Sequence, residues 1–511
     1  MSTDKEITLP LFALLADVTV TSQHGPTDVP VQALTLDSRQ AAPGFVFFAL
    51  RGAATDGHLF VPKAVEQGAS VVICEDLPAE LQPGTAYVQV SDSGEAMAHM
   101  AAAFYGHPSR SLQLIGVTGT NGKTTCATLL HKMLRELGYH TGLLSTVQNQ
   151  IDEQVIPATH TTPDAIRLNE LLARMVEAGC THACMEVSSH AVVQHRVTAL
   201  RFVGGIFTNL THDHLDYHGT FDNYLKAKKG FFDMLPKSAF ALTNADDKRG
   251  TVMLQNTAAR RETYSLRSAA TFRGKLLENA VHGLHLEVDG QEVQFRLIGI
   301  FNAYNLLAVY GAAVLLGEEP QEVLTILSGL LSAPGRFEPV LSANTHVTGI
   351  IDYAHTPDAL ENVLNTIADI RQPSQQVITV VGCGGNRDGG KRPIMANLAC
   401  QGSDHVVLTS DNPRFEDPLD ILSQMQAGVK AQDLPKVETI PDRREAIRRA
   451  VELAGPNDIV LVAGKGHETY QEVKGVRAEF DGKQVLQEMF ELLKNELLLT
   501  KICKNTTLAG P

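Results

Sequence analysis

The run GVTGTNGKTT, Gly116 to Thr125, places glycines at 116, 119 and 122 ahead of a lysine and two threonines. It follows the apolar, strand-like LQLIGV. It opens a helical pattern in which Cys126, Ala127, Leu129, Leu130, Met133, Leu134 and Leu137 share a face until Gly138 stops it. Glycines let backbone N–H groups close around phosphate oxygens, and a helix N-terminus adds partial positive charge. Lys123 can then reach terminal phosphates and the Thr124 hydroxyl can ligate Mg²⁺. A strict P-loop has glycine where Val117 stands, so this is a nucleoside triphosphate site of variant spacing. The competing explanation is an ordinary glycine turn, and Gly-Lys-Thr-Thr set where strand meets helix argues against it. Such a loop alone leaves motor, switch, kinase and ligase open.

Two later stretches carry acids and histidines, MEVSSH (Met185 to His190) and NLTHDHLDYHG (Asn209 to Gly219). A carboxylate ending a strand beside a phosphate loop is the usual second Mg²⁺ contact, which nominates Glu186. His212, His214 and His218 with Asp213 and Asp216 offer a transition-metal cluster instead, although their spacing fits neither helical zinc ligands nor a zinc ribbon. His212 and His218 read as solvated loop histidines. Further on, VVLTSDNPRFEDP runs from a strand-like segment into Asp411-Asn412-Pro413-Arg414. Proline fixes φ and removes a donor, so this turn holds Arg414 stiffly, and a guanidinium fork suits a carboxylate. Glu416 and Asp417 beside it read as solvated charges.

These residues need elements to position them. A chain of 511 residues, 44% hydrophobic and 20% charged, exceeds one ordinary core and has the make-up of a globular protein. GHPSRS at 106–111 and SAPGRFEP at 332–339 read as joints, dividing the chain into domains 1–107, 108–335 and 336–511. In the last two, β-branched runs alternate with amphipathic helical segments, the pattern of parallel sheets faced by helices. The strand candidates are LQLIGV, YHTGLLST, THACMEV, GGIFTNL and AFALTNAD, then QVITVVGC, HVVLTS and DIVLVAG. The first domain, with VQALTL, GFVFFAL and ASVVICE, reads as a small α/β unit. A formal charge of −14 argues against a nucleic-acid or anionic-membrane partner. With no secretory leader and no membrane-span-length segment, the expected location is the cytoplasm. Seven scattered cysteines predict reduced thiols and no disulfide.

GVTGTNGKTT, MEVSSH, NLTHDHLDYHG and YLKAKKGFF together resemble the Mur ligase family, ATP-dependent amide-forming enzymes of peptidoglycan precursor synthesis. The resemblance spans the chain. It implies an α/β fold of three domains: a small N-terminal nucleotide-sugar domain, a central P-loop ATPase with a mainly parallel sheet, and a C-terminal Rossmann-like domain that binds the incoming amino acid. It assigns ATP to Gly119, Thr120, Asn121, Gly122, Lys123, Thr124 and Thr125. Asn305 of FNAYNLLA matches a base contact, and Arg336 of PGRFE with Asp352 and His355 of IDYAHTPDA match contacts from the third domain. Thr124, Glu186, His214 and Lys228 match ligands of two Mg²⁺ ions, and Lys123, Lys228, Glu186 and His214 form the catalytic set. Lys228 matches a lysine carbamylated by CO₂, which turns a cation into an anion able to bind Mg²⁺. Lys226 and Lys229 are its rivals, and the position four after Tyr224 selects Lys228.

In LTLDSR and ALRGAATDGH, Leu36, Ser38, Ala53, Ala54 and Thr55 match contacts to uridine and pyrophosphate. Thr161, Thr162, Ser188, Gln194 and Arg196 match residues that hold a muramoyl peptide, with His160 standing where the family pattern has asparagine. DNPR resembles the signature of members that add meso-diaminopimelate, whereas lysine-adding members lack its arginine. This puts Asp411, Asn412, Pro413 and Arg414 in an amino-acid site with Arg387 of GCGGNRDGGKR and Gly464 and Glu468 of VAGKGHE. The implied substrates are ATP, UDP-N-acetylmuramoyl-L-alanyl-D-glutamate and meso-diaminopimelate, joined through an acyl phosphate by a monomer. Competing readings are a sister ligase adding lysine or another amine, a folylpolyglutamate synthase, and a nucleotide-gated regulator that binds a cell-wall peptide without ligating it.

Overall fold

The structure, a computed structural model, describes residues 7–52, 55–158, 160–211, 215–343 and 345–492. Three larger sheets carry the chain. The first is five-stranded and mixed, with Ala33–Thr35, Phe45–Phe48, Val71–Cys74 and Ala86–Val90 parallel and Val20–His24 antiparallel at one edge. Val46, Phe48, Val71, Ile73 and Val88 pack with Met97, Met100 and Phe104 of the helix Ser93–Phe104. Asp92 caps that helix by accepting from Glu95 N at 2.9 Å.

The central sheet has eleven strands. Its middle is parallel, in the order Thr141–Leu144, His182–Glu186, Gln113–Thr118, Gly204–Phe207, Phe240–Asn244, Arg260–Ser265. The first five of these in chain order are the five strand candidates read from sequence as short β-branched runs, and all five are buried on both faces. Antiparallel pairing extends both edges: Gln148–Ile151 and Gln154–Pro157 on one side, and on the other Phe272–Ala280, which joins Arg260–Ser265 in parallel and then pairs antiparallel with Gly283–Val288, followed by Gln291–Phe295. Their exposed faces interrupt the apolar pattern, so the sequence does not mark them as strands of a buried sheet. The helix Ile300–Leu316 is apolar nearly all round and lies in the core beside the phosphate-loop helix Lys123–Glu136.

His131 of that helix is buried and shares a 2.9 Å hydrogen bond with the Thr141 hydroxyl. Burial, helped by Arg135, pushes its pKa down from 6.5 to about 4. A base depressed on folding contributes stability that is complete above its unfolded value and is lost as pH falls toward the folded one. Stability is therefore expected to drop by up to about 3 kcal/mol between pH 6.5 and 4 through this group. His131→Gln keeps a polar partner for Thr141 and should narrow the gap between urea midpoints at pH 7 and pH 4.5; an unchanged gap would assign the acid sensitivity elsewhere.

The third sheet has six strands, five parallel, with Glu338–Leu341 antiparallel against Thr348–Asp352. It contains Val377–Val381, His405–Leu408 and Ile459–Ala463, the three candidates of the sequence reading. A separate antiparallel hairpin, Tyr470–Val473 with Val476–Glu479, follows it. Six cysteines among the described residues are free and buried. No helix among them is long and apolar enough to cross a membrane.

Candidate active site

The phosphate loop joins the strand Gln113–Thr118 to the helix Lys123–Glu136. Gly119 has φ +150° and Gly122 φ +87°, and side chains there would meet Thr208 Oγ1 at 1.9 Å and Asn305 Oδ1 at 2.5 Å. Both positions therefore need glycine for space as well as conformation. Asn209 fastens the loop by accepting from Asn121 N at 3.0 Å, and Thr208 donates to the Asn121 carbonyl at 2.6 Å. Lys123 Nζ folds over the loop and donates to the carbonyls of Gly119 at 2.9 Å and Thr120 at 2.8 Å. Thr125 is buried behind it.

Glu186 ends the neighbouring strand. Its Oε1 accepts from Thr124 Oγ1 at 2.9 Å and Thr146 N at 2.7 Å. Its Oε2 is buried with no hydrogen-bond partner among the described residues, an orphan acceptor that a cation would satisfy. Carboxylate and hydroxyl oxygens are hard donors, so the pair fits Mg²⁺. Lys228 lies opposite, 1% exposed, donating to the Gly119 carbonyl at 2.7 Å with its ammonium 4.6 Å from the Tyr224 ring centroid. Of its rivals, Lys226 is 73% exposed and Lys229 pairs with Asp233 at 2.6 Å. His214, with His212 and Asp213, lies outside the described residues. His218 does not fit the expectation of a solvated loop residue: it is buried and bonds Ser189 Oγ at 2.9 Å.

Thr161, Thr162, Ser188, Gln194 and Arg196 converge beside Glu186. Thr162 Oγ1 donates to the Glu186 carbonyl at 2.8 Å, and Thr161 Oγ1 accepts from Thr146 Oγ1 at 3.0 Å. Arg196 donates to the Thr162 carbonyl and to Gln194 Oε1. Ser188 caps a short helix by accepting from Ala191 N at 3.1 Å. His160 is exposed beside this cluster. In the first domain Leu36 is partly exposed, Ser38 is buried, and the Thr55 carbonyl accepts from Gly52 N at 3.0 Å; Ala53 and Ala54 lie outside the described residues.

Contacts from the third sheet reach the phosphate loop. Arg336 stacks on Tyr353, 4.4 Å from its centroid, and donates to Thr124 Oγ1 at 3.3 Å. Asp352 accepts from Phe337 N and Ala354 N, yet its burial outweighs these bonds and Arg336 and lifts its pKa to about 6. His355 is exposed, Nδ1 donating to the Tyr353 carbonyl at 2.8 Å. Asn305 sits beneath Gly122 and donates to Asn302 Oδ1 at 3.0 Å. Asp358, which sequence reading passed over, accepts from Asn121 Nδ2 and Thr211 Oγ1, both at 2.9 Å. Only tertiary structure brings it there; Asp at the start of a helix looks like an ordinary favourable charge. Asp358→Ala removes two bonds to a charged acceptor between the central and third units. Proteolytic cleavage near residues 332–339 should then run roughly tenfold faster. An unchanged cleavage rate would show that other contacts hold the two units.

Arg414 lies at the open end of the strand His405–Leu408 with φ +53°. Its N–H donates to the Glu472 carbonyl at 3.0 Å and its carbonyl accepts from Lys474 N, so the hairpin pairs with it. Its Nη1 donates to the Gly385 carbonyl at 2.7 Å. Arg387 is exposed, and its Cγ lies 3.9 Å and Arg414 Nη1 3.2 Å from the point where Gly384 would carry a side chain. Two guanidinium-bearing side chains thus flank one glycine loop. Of the nearby acids, Glu416 is half-buried and forms a fork with the buried Arg392 at 2.8 and 3.0 Å, whereas Asp417 is exposed as expected and also caps the helix Pro418–Gln426. The Arg392 bonds, then Asn386 N–H, hold Glu416 below the usual carboxylate range. Asp411 accepts from Asn412 N at 2.7 Å, and its Oδ2 closes over Gly464. Asn412 Nδ2 donates to Glu468 Oε2 at 2.8 Å.

A glycine-built phosphate loop, a strand-end carboxylate with an unmet oxygen, and an arginine reaching the loop threonine from the third unit are the parts of an ATP-using enzyme built from three α/β units. Residues 117–313 match the Mur ligase middle domain, 335–466 the Mur ligase glutamate ligase domain and 30–105 the Mur ligase family catalytic domain. The chain belongs to the Mur ligase family. It is 57% identical over 481 residues, 94% of this chain and 99% of the relative, to UDP-N-acetylmuramoyl-L-alanyl-D-glutamate--2,6-diaminopimelate ligase of Cytophaga hutchinsonii. It is 55% identical over 480 residues, again 94% and 99%, to the ligase of the same name from Phocaeicola vulgatus. A solved structure of a ligase of that name superposes with TM-score 0.67 at 32% identity, covering 95% of this chain and 99% of the other. An ADP complex of MurF ligase from Thermotoga maritima, at 17% identity and TM-score 0.59 over 90% and 97% of the two chains, shares the fold.

Proposed function

We propose that this chain joins meso-diaminopimelate to the D-glutamate γ-carboxylate of UDP-N-acetylmuramoyl-L-alanyl-D-glutamate, releasing ADP and phosphate. It is an ATP-dependent amide-forming ligase of peptidoglycan precursor synthesis. The γ-carboxylate attacks the ATP γ-phosphate, because hydroxide is too poor a leaving group for direct amide formation. The amine then displaces phosphate from the acyl phosphate. Lys123 exchanges its loop carbonyls for phosphate oxygens, and the loop N–H groups of 119–125 hold the chain of phosphates. Thr124 and Glu186, with His214 and a carbamylated Lys228, would hold two Mg²⁺ ions, which when bound spread the charge of the transferring group. A carbamate on Lys228 would replace a buried cation by an anion, so that it and the orphan Glu186 oxygen would both offer hard oxygen donors to a metal.

Arg336, Asp352, His355 and Asn305 serve the nucleotide. Thr161, Thr162, Ser188, Gln194, Arg196 and His160 serve the muramoyl peptide, and Leu36, Ser38 and 53–55 its uridine diphosphate. We read the units as 1–107, 108–335 and 336–511, the third swinging on residues 332–339, in a cytoplasmic monomer. The observation that carries the choice of amine is Arg414, a half-buried guanidinium fixed at the strand end where a distal carboxylate would arrive. A lysine ammonium would meet repulsion there. Mass spectrometry of products formed with ATP, the muramoyl dipeptide and either diamine tests this: a diaminopimelate adduct is expected, and a lysine adduct in its place would refute the assignment.

A further inference from the structure

Lys465 follows Gly464 at the end of the strand Ile459–Ala463, and its side chain is turned inward, 2% exposed. Its ammonium donates to Asn412 Oδ1 at 2.9 Å and to Glu468 Oε2 at 3.0 Å. Asn412 Nδ2 closes the ring onto the same Glu468 oxygen at 2.8 Å. Asn412 Oδ1 also accepts from Glu472 N at 3.0 Å. An ammonium and a backbone N–H can only donate, so together they fix which way the Asn412 amide faces and hence which oxygen of Glu468 it holds. Tyr470 covers the ammonium, its ring centroid 5.3 Å away. Burial draws Lys465 below the usual lysine range, while Asp411 and Glu468 oppose that shift.

We propose that Lys465 is a positioning residue that aims Glu468 and Asn412 at the incoming diamine and sets the preference for meso-diaminopimelate over lysine. The proposal rests on the diaminopimelate reading above. The distal centre of diaminopimelate carries carboxylate and ammonium together, whereas that of lysine carries ammonium alone. A Glu468 neither paired nor aimed by Lys465 would attract any ammonium without holding it where the neighbouring carboxylate meets Arg414. With Lys465 bonded to it, the pair is close to neutral, an ammonium alone gains little, and binding requires the carboxylate to meet Arg414 as well. Lys465 therefore both orients Glu468 and withholds its charge from the wrong amine.

The test compares wild type, Lys465→Met, Lys465→Arg, Glu468→Gln and the double variant Lys465→Met with Glu468→Gln, measuring ADP release with each diamine. Lys465→Met should raise KM for diaminopimelate roughly tenfold to a hundredfold, the cost of opening a buried charge pair, and shift preference toward lysine. KM for ATP and for the muramoyl dipeptide should stay within about twofold, which general unfolding would not spare. The double variant should be little worse than either single one, since Lys465 acts through Glu468. Lys465→Arg keeps the charge and covers the case of a poorly folding Met variant; a longer, planar head misplaces Glu468 and should also raise KM for diaminopimelate. A preference between diamines left within twofold of wild type in both Lys465 variants, or equal losses for all three substrates, would overturn the proposal while leaving the ligase assignment standing. A wild-type protein that releases no ADP with diaminopimelate would overturn both.

Discussion

Arg414→Ala should raise KM for meso-diaminopimelate by roughly a hundredfold or more and leave any residual use of lysine unchanged or improved. Truncating one member of a desolvated charge pair costs about 2–5 kcal/mol, much of it from stranding the partner charge. The distal carboxylate would be the stranded group. The size of the effect depends on how little freedom Arg414 has to lose. Its backbone is bonded on both sides to the hairpin at Glu472 and Lys474, and Nη1 is already tied to the Gly385 carbonyl. The remaining guanidinium donors are therefore held in place before substrate arrives. Arg414→Lys retains charge but loses the fork, so it should recover only part of the affinity. Phosphate release with each diamine measures the outcome, and unaltered selectivity in Arg414→Ala would remove the basis for naming the amine.

The second large effect is on the chemical step. Lys123→Ala should lower kcat by about a thousandfold or more, the scale seen when a preorganised donor to a charged transition state is removed. In the structure the ammonium rests on the carbonyls of Gly119 and Thr120, partners weaker than a phosphate oxygen. Moving from these to the transferring phosphoryl group is the differential gain that accelerates reaction. The thermal midpoint should change little, because the Gly119 carbonyl keeps its bond from Lys228 and Thr120 is partly open to water. Single-turnover ADP formation beside a melting curve separates the two. A variant that melts early without a catalytic defect would make Lys123 a structural residue of the loop.

Much of this site was legible because its signals are local. Gly119, Gly122, Lys123 and Thr124 declare a phosphate loop within ten residues, and the strands that carry it are unbroken apolar runs. The edge hairpins of the central sheet were not legible, since half of each strand faces outward. Nor were residues defined by meetings across the fold. Asp358 reads as a helix-start acid until Asn121 and Thr211 converge on it, and nothing local in the sequence marks Arg392 as a buried partner of Glu416. Lys465 stands inside VAGKGHE, yet the family resemblance points only to its neighbours Gly464 and Glu468, because packing alone reveals that this ammonium is enclosed. Glu416 misled in the same way: it reads as a solvated loop charge, whereas it closes a fork with the buried Arg392.

The hairpin at 470–479 carries one more implication, for anyone wishing to exchange amine choice between relatives. Residues 412 and 472 are sixty apart in the chain, yet they share a bond. A transplant of the four residues DNPR alone into a lysine-using scaffold would deliver the guanidinium without the ribbon that braces it. The heritable unit of substrate choice is the two segments moved as a pair, and chimeras that split them should be indiscriminate.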